Sequence, residues 1–427
     1  MRTDSPKVID IVGIGFGPSN LGLAIAIEEH NQSVDDADRL TAAFVESKPA
    51  FAWHPGMMLP GTTMQISFLK DLVTQRNATS EFSFLSYLAD RGRMAHFINY
   101  QTFFPTRREF DDYLKWSADK VNADVRYSTQ AVAVREADGH LVVDASGPDG
   151  PTALKARNVV VAGGLREALP ANVTGSRRQF HNHRLLNHLD TLGEPANERF
   201  LVVGAGQSAA EVVQYLHSTY RDAEVHNVFS KYGYIPADDS PYANRIFDAT
   251  AVDEFYSADQ RQRDSLLDYH KATNYSCVDL ELIQELYSRE YAEHVDGRRR
   301  LFMRGASELS SVEETDDGVH VRVTNLLTGT HDEFVVDAIV YATGFTPTDL
   351  TEILGDLIDG DQVSRGGADV DRDYRVITRR PIPGSIYTQG STEHTHGLTS
   401  SLLSNIAIRS GEILRSVVAS RALEYSA

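Results

Sequence analysis

Two glycine-rich turns have the spacing that can hold a phosphate. The first runs Gly13-Ile14-Gly15-Phe16-Gly17-Pro18-Ser19, and the second Gly204-Ala205-Gly206-Gln207-Ser208-Ala209. In such a turn the first glycine permits a tight bend and the second lets backbone approach a pyrophosphate. A small third residue lets the following helix pack close to its strand. The free N–H groups at the start of that helix then bind the anion. Pro18 stands where the small third residue belongs, but proline suits a first helical turn, where its missing N–H costs nothing. Two such turns about 190 residues apart are better explained by two dinucleotides than by coincidence.

The residues after each turn differ. The apolar run at 42–45 ends in Glu46, an acid placed to accept hydrogen bonds from adenosine ribose hydroxyls. The run at 225–229 leads instead to Ser230 and Lys231, with no acid at its tip. A carboxylate there would repel a 2′-phosphate, whereas a hydroxyl and an ammonium accept one, so NADPH is expected over NADH. Gln207 and Ser208 fall where its pyrophosphate would meet the helix. His394 and His396 alternate as metal ligands can, but no third ligand of suitable spacing accompanies them, so no metal site is expected. Cys277 is the single cysteine, which excludes a redox pair and fits a reducing compartment.

Around these residues the elements follow from periodicity. Residues 8–12 and 200–203 are short apolar runs, each ending in its glycine turn and followed by a helical pattern, at 21–29 and 210–217. Further apolar runs stand at 158–164 and 338–345. The second of them ends in Ala342-Thr343-Gly344 and resembles the crossover strand of two-dinucleotide flavoproteins, which makes FAD the first dinucleotide. The fold class expected is α/β, with two Rossmann-like dinucleotide-binding domains. The FAD domain is expected to be discontinuous, from residues 1–170 plus 330–427. Residues 171–240 plus 301–329 would form the NADPH domain, and 241–300 a small helical substrate-binding region. A chain of 427 residues has room for this. Its net charge of −19 argues against nucleic acid and anionic membranes as partners, since both would be repelled. No run of apolar residues is long enough for a membrane span or a secretion signal, so a cytoplasmic protein is expected.

Other segments narrow the reading. Met64-Gln65-Ile66-Ser67-Phe68-Leu69-Lys70-Asp71-Leu72 resembles a segment of the microbial N-hydroxylating flavin monooxygenases, the ornithine and lysine hydroxylases of siderophore biosynthesis. Trp53-His54-Pro55-Gly56-Met57, Phe104-Pro105-Thr106-Arg107 and Asp238-Asp239-Ser240-Pro241-Tyr242-Ala243-Asn244 match the same pattern. So do Thr273-Asn274-Tyr275-Ser276 and Glu393-His394-Thr395-His396-Gly397-Leu398, and the resemblance runs from about residue 8 to 413.

That resemblance implies a reaction in which NADPH reduces FAD and O2 adds to form a C4a-hydroperoxyflavin. A primary amine of the substrate then attacks the distal oxygen. The amine must arrive unprotonated, and its free pKa is about 10.4; desolvation in a closed pocket favours the neutral form. The resemblance also implies that Lys70 pairs with the substrate carboxylate, and that Asn244 and Asn274 hold its polar groups. Gln65, Trp53 and His54 would lie against the flavin, with Gln65 and Asn274 closest to the chemistry. His394, Thr399 and Leu402 would also contact FAD. Residues 399–402 are read as opening an amphipathic helix with Leu403, Ile406 and Ile413 on its apolar side, its N-terminus facing the flavin. The expected substrate is L-ornithine. Lysine stays open because it differs by one methylene, worth only about 1–3 kcal/mol in a pocket; putrescine and cadaverine stay open because Arg245 follows Asn244 where many relatives carry an acid. A homo-oligomer, tetramer or dimer, is the expected assembly. Baeyer–Villiger enzymes are a rival, but residues 180–183 lack their F-x-G-x-x-x-H signature. A non-catalytic nucleotide-binding sensor would leave the Lys70 and Asn244 segments without a reason.

Overall fold

Two sheets, the first mixed and the second parallel, carry the two glycine turns at the ends of their strands. The computed structural model describes residues 8–193, 198–359 and 367–426, without the side chains of 271–274, 400–401 and 423–426. In the first sheet the order is Asp124–Arg126, Ala42–Val45, Ile9–Ile14, Gly150–Val161, His140–Gly147, Gln130–Ala137, with Ser385–Thr388 also paired to Gly150–Val161. Gly150–Val161 serves both halves of that sheet. Its first residues run antiparallel to His140–Gly147, and its last run parallel between Ile9–Ile14 and Ser385–Thr388. Val159, Val160 and Val161 are buried on both faces, the continuous apolar run a covered parallel strand requires.

The second sheet is all parallel, in the order Leu301–Arg304, Glu224–Val228, Arg199–Val203, Ala338–Tyr341, Gln179–His181. Alternation along Arg199–Val203 divides its side chains between two cores. Phe200 and Val202 pack with Val212, Val213 and Leu216 of the helix Gln207–Thr219 and with Leu282 and Leu286 of the helix Leu280–Asp296. Leu201 points the other way, onto Val319, Val321, Val323 and Val336 of an antiparallel three-stranded sheet, Ser307–Thr315, Gly318–Asn325 and His331–Val336.

Three expectations need correction. The strand Ala338–Tyr341 lies in the second sheet, between Arg199–Val203 and Gln179–His181, so the chain does not return to the FAD domain at 330. It returns through Phe345–Pro347, which pairs antiparallel with the outgoing Leu165–Glu167. Residues 241–300 are likewise not one helical region. Ala249–Ser257 and Gln260–Asn274 belong there, but Leu280–Asp296 is the crossover helix between the parallel strands Glu224–Val228 and Leu301–Arg304. Finally, the last helix starts at Ile406, not at Thr399. Residues 398–405 form two short 3-10 turns, Leu398–Ser401 and Leu403–Asn405, after Gly397 at φ +76 breaks the chain direction.

The two glycine turns are built alike. Gly15 at φ +83 and Gly204 at φ +139 lie where a Cβ would stand 2.4 Å from the carbonyl oxygens of Ala162 and Ala342 respectively. A buried asparagine braces each turn. Asn20 Nδ2 donates to the carbonyls of Ile14 and Gly15 at 3.3 and 2.7 Å, and Asn227 Nδ2 to those of Val202 and Gly204, both at 3.0 Å. Gly15→Ala is therefore expected to yield protein purified without flavin, read from its visible absorbance. Normal flavin content would show that the strand can shift to admit the methyl.

Candidate active site

The chemistry-bearing residues fall into three places. The first is the turn at the end of Ile9–Ile14. Pro18 is the first residue of the helix Pro18–Ser33 and Gly17 its N-cap, with no side chain capping the N–H groups. A Cβ on Gly17 would meet nothing within 4 Å, so these free donors face open space, as a pyrophosphate site needs. Gly13 and Gly15 complete the turn. Glu46 is buried, and Oε2 accepts from the N–H of Phe16 at 2.7 Å while Oε1 accepts from that of Lys48 at 2.9 Å. The acid thus ties strand Ala42–Val45 to the turn as well as standing at the strand tip. Ser19 is held from behind: Arg409 Nη2 donates to its hydroxyl at 3.2 Å, and Gln389 Nε2 to its carbonyl at 3.1 Å. Burial lowers the pKa of the Arg409 guanidinium.

The second place is a cleft of about 2120 Å³ between the two sheets. It is lined from one side by Gln65, Lys70, His394, Leu402 and Ser404. Gly204, Gly206, Gln207, Ser208, Ser230 and Lys231 line it from the other, with Asn244 and Arg245 at a third edge. Gly206 caps the helix Gln207–Thr219 with no side-chain hydrogen bond, so Ser208 does not cap it and its N–H groups are available. Lys231 Nζ donates to the carbonyl of Ser276 at 2.8 Å, which fixes the ammonium beside this turn. Gln207 differs from expectation. Its amide donates to Asp279 and Glu211 and accepts from the N–H of Asp279, so it offers a phosphate its backbone, not its side chain.

Lys70 is half-buried in this cleft, and its ammonium has no hydrogen bond or ion pair with the described residues. The loop after it is pinned by Asp71, whose carboxylate accepts from the N–H groups of Val73, Thr74 and Phe84 and from the Thr74 hydroxyl. Asn244 Nδ2 donates to the carbonyl of Asp239 at 2.8 Å, which leaves Oδ1 as an acceptor. Asn274 closes the helix Gln260–Asn274, but its side chain lies outside the described residues.

Several buried polar atoms around 394–405 lack partners among the described residues: His394 Nδ1, Thr399 Oγ1, Ser404 Oγ and Asn405 Nδ2. Such groups cost free energy unless a ligand or water completes them. His394 Nε2 lies 3.2 Å from the carbonyl of Ala368 and must be its donor, so Nδ1 is left as an acceptor. Burial lowers this ring's pKa and keeps it neutral. The set fits a polar ring system with its own donors and acceptors, as an isoalloxazine has. His396 does not share this role. Its Nε2 faces the carbonyl of Arg372 and its Nδ1 the Thr395 hydroxyl, and no group of three metal-binding side chains occurs among the described residues.

The third place is the seam between the domains, and Trp53 and His54 lie there instead of lining the cleft. Trp53 packs on Phe110, and the His54 ring packs against Phe345, with Nδ1 3.2 Å from Nε2 of His183. His54 itself sits in an αL turn (φ +46).

Burial, and after it the His183 ring, pushes the His54 pKa down to about 3; burial likewise brings His226 and His396 to about 4. The unfolded value is about 6.5. Folding therefore prefers these rings neutral. That contribution is complete above about pH 6.5 and is lost as pH falls toward about 4 and below. The unfolding midpoint is expected to drop between about pH 7 and about pH 5, and less steeply in His54→Asn, a residue that tolerates αL backbone. Parallel slopes in the two proteins would remove His54 from this account.

Comparison with known proteins gives the family. The family model of L-lysine 6-monooxygenase/L-ornithine 5-monooxygenase matches residues 7–347. The chain belongs to this family. An L-ornithine N(5)-monooxygenase of Burkholderia cepacia is 37% identical over 407 residues, 91% of this chain and 90% of that protein. The solved ornithine N-hydroxylase of Kutzneria sp. 744, described with reduced FAD, NADP+ and L-ornithine, is 42% identical with a TM-score of 0.91, over 97% of this chain and all of that one (100%). The L-lysine 6-monooxygenase of Pseudomonas syringae is 33% identical with a TM-score of 0.82, over 96% and 99% of the two chains. Asn20, Asn227, Arg409, Ser404 and Asp279 went unread in the sequence. Only Asn20 carried a signal, its place at the end of the first turn. Arg409 sits among Ile406, Ala407 and Ile413 and reads as a snorkelling surface arginine.

Proposed function

We propose that this chain hydroxylates the terminal primary amine of L-ornithine, using FAD, NADPH and O2. One observation carries the reading: the half-buried ammonium of Lys70 stands in the interdomain cleft without a partner among the described residues. A half-buried cation so placed calls for an anion, and the α-carboxylate of an amino acid is one of the right size. Bound FAD, reduced by NADPH, supplies the activated oxygen.

The chain's own residues supply the rest. The free-facing N–H groups at Gly17–Ser19 and Gly206–Ser208 hold the two pyrophosphates, and Ser230 and Lys231 the 2′-phosphate. Lys70 takes the substrate carboxylate, and Asn244 Oδ1 accepts from the α-ammonium. Held at its head, the substrate leaves its distal amine free to extend along the cleft toward Gln65. Removal from water, with Lys70 and Arg245 lining the same cleft, favours loss of the amine proton. The hydroxylated amine would serve as a hydroxamate precursor in siderophore synthesis. No helix among the described residues is long and apolar enough to cross a membrane; the setting we propose is the cytoplasm, with the enzyme as a homodimer or homotetramer.

A hydroxylamine-product assay across four amines tests the reading. Ornithine should give the highest kcat/KM. Lysine should be lower by roughly 10- to 100-fold, since one methylene is worth about 1–3 kcal/mol. Putrescine and cadaverine, which lack the carboxylate, should be lower still. NADPH oxidation without hydroxylamine from any amine would sink the function; equal turnover of putrescine and ornithine would sink the carboxylate contact alone.

A further inference from the structure

Asp279 belongs to none of the motifs above, yet it joins two residues of the site. It precedes the helix Leu280–Asp296, and its side chain makes no capping hydrogen bond. Its carboxylate is spent elsewhere. Oδ1 accepts from Gln65 Nε2 at 3.1 Å and Oδ2 from Gln207 Nε2 at 2.9 Å, while its N–H donates to Gln207 Oε1 at 2.9 Å. Gln207 also donates to Glu211 Oε1 at 3.2 Å, and Glu211 is held by Arg107 at 2.8 and 2.9 Å. One run of contacts thus leads from the loop beside Lys70, through Asp279, to the first turn of Gln207–Thr219. It then returns to the helix Arg107–Lys120 of the first domain.

The sign of the charge matters here. A carboxylate only accepts, so both glutamines must turn their NH2 groups toward Asp279. Gln65 then keeps its Oε1 for the cleft it lines. A neutral residue at 279 would leave that amide free to flip.

We infer that Asp279 is a positioning residue for the NADPH half of the reaction. It sets the polarity of the Gln65 amide and seats the helix of the second glycine turn, so that the nicotinamide donor meets the flavin side at one fixed placement. The inference rests on the cofactors assigned under Proposed function. Its effect falls on flavin reduction and not on amine binding, because none of the hydrogen bonds of Asp279 to described residues reaches Lys70, Asn244 or Ser404.

The test uses the FAD-loaded enzyme under anaerobic conditions, following the loss of oxidised-flavin absorbance after mixing with NADPH. Asp279→Leu should slow reduction by about 10- to 100-fold, the scale expected of a small misplacement. Asp279→Asn, whose carbonyl can still accept from one amide, should recover part of the rate. Gln207→Leu should repeat the defect, and the double variant should be no slower than the slower single, as for residues acting through one contact. FAD content, the oxidised-flavin spectrum and KM for ornithine should not move. Reduction within about twofold of wild type would overturn the inference, as would a slowing matched by lost FAD content and a lower unfolding midpoint. Wild-type enzyme that reduces its flavin normally but hydroxylates none of the amines would refute the substrate reading and leave the role of Asp279 standing. Wild-type enzyme whose flavin NADPH does not reduce would overturn both.

Discussion

Lys70→Ala is expected to raise KM for ornithine by roughly 10- to 100-fold, with the rate of flavin reduction by NADPH within about twofold of wild type. The range follows from a hydrogen bond to a charged group, worth about 1.5–3 kcal/mol, at 1.36 kcal/mol per tenfold. Both Lys70 and Gln207 line the cleft, but Gln207 opens the helix of the second glycine turn and no hydrogen bond joins Lys70 to it, which is why the two half-reactions should separate. Diamines sharpen the result. They bring a second ammonium where ornithine brings a carboxylate, and Lys70 repels it. The same substitution should therefore improve putrescine relative to ornithine. Steady-state kinetics on both amines decides it, and an unchanged KM for ornithine would end the carboxylate role.

Arg107→Leu should be among the most destabilising single changes in the chain, by about 3–5 kcal/mol. Its partner Glu211 has a side chain only 4% exposed, and Arg107 reaches it from the other domain through two hydrogen bonds. Removing the cation leaves a carboxylate buried in the seam, which costs more than the pair contributes. Adding Glu211→Met should restore most of the loss, since an apolar pair of similar volume carries no charge to desolvate. Urea unfolding of the single and double variants checks both statements. A single variant with a wild-type midpoint would mean that water reaches Glu211.

Local signals were the readable ones. Each glycine turn is specified within a few residues by backbone demands that only certain side chains meet, and both turns stand where their spacing put them. Lys70 and Asn244, singled out through the segments that carry them, share one cleft with Ser230 and Lys231. What was misread depends on partners far along the chain. The run 338–341 reads as a strand, but nothing local says which sheet accepts it. Thr399, Ser400 and Ser401 look like the start of a helix, yet the preceding Gly397 turn spends them on a 3-10 segment. Gln207 was placed correctly at the helix start, but its side chain answers to Asp279, 72 residues away. Asp279 and the Arg107–Glu211 pair had no sequence signal at all, because an ion pair 104 residues apart has no period.

The strand Ala338–Tyr341 has a consequence for the order in which the molecule can be assembled. A ribosome releases the chain from its N-terminus, so the strand Arg199–Val203 emerges long before the neighbour that separates it from Gln179–His181. The first sheet waits longer still, for Ser385–Thr388 beside Gly150–Val161. Each pairing joins segments at least 130 residues apart, the kind of closure that slows folding. Until then each nascent half keeps an open apolar strand edge. Both nucleotide pockets thus mature late in synthesis, the second before the first, and a transcript truncated before codon 338 would give a chain able to complete neither.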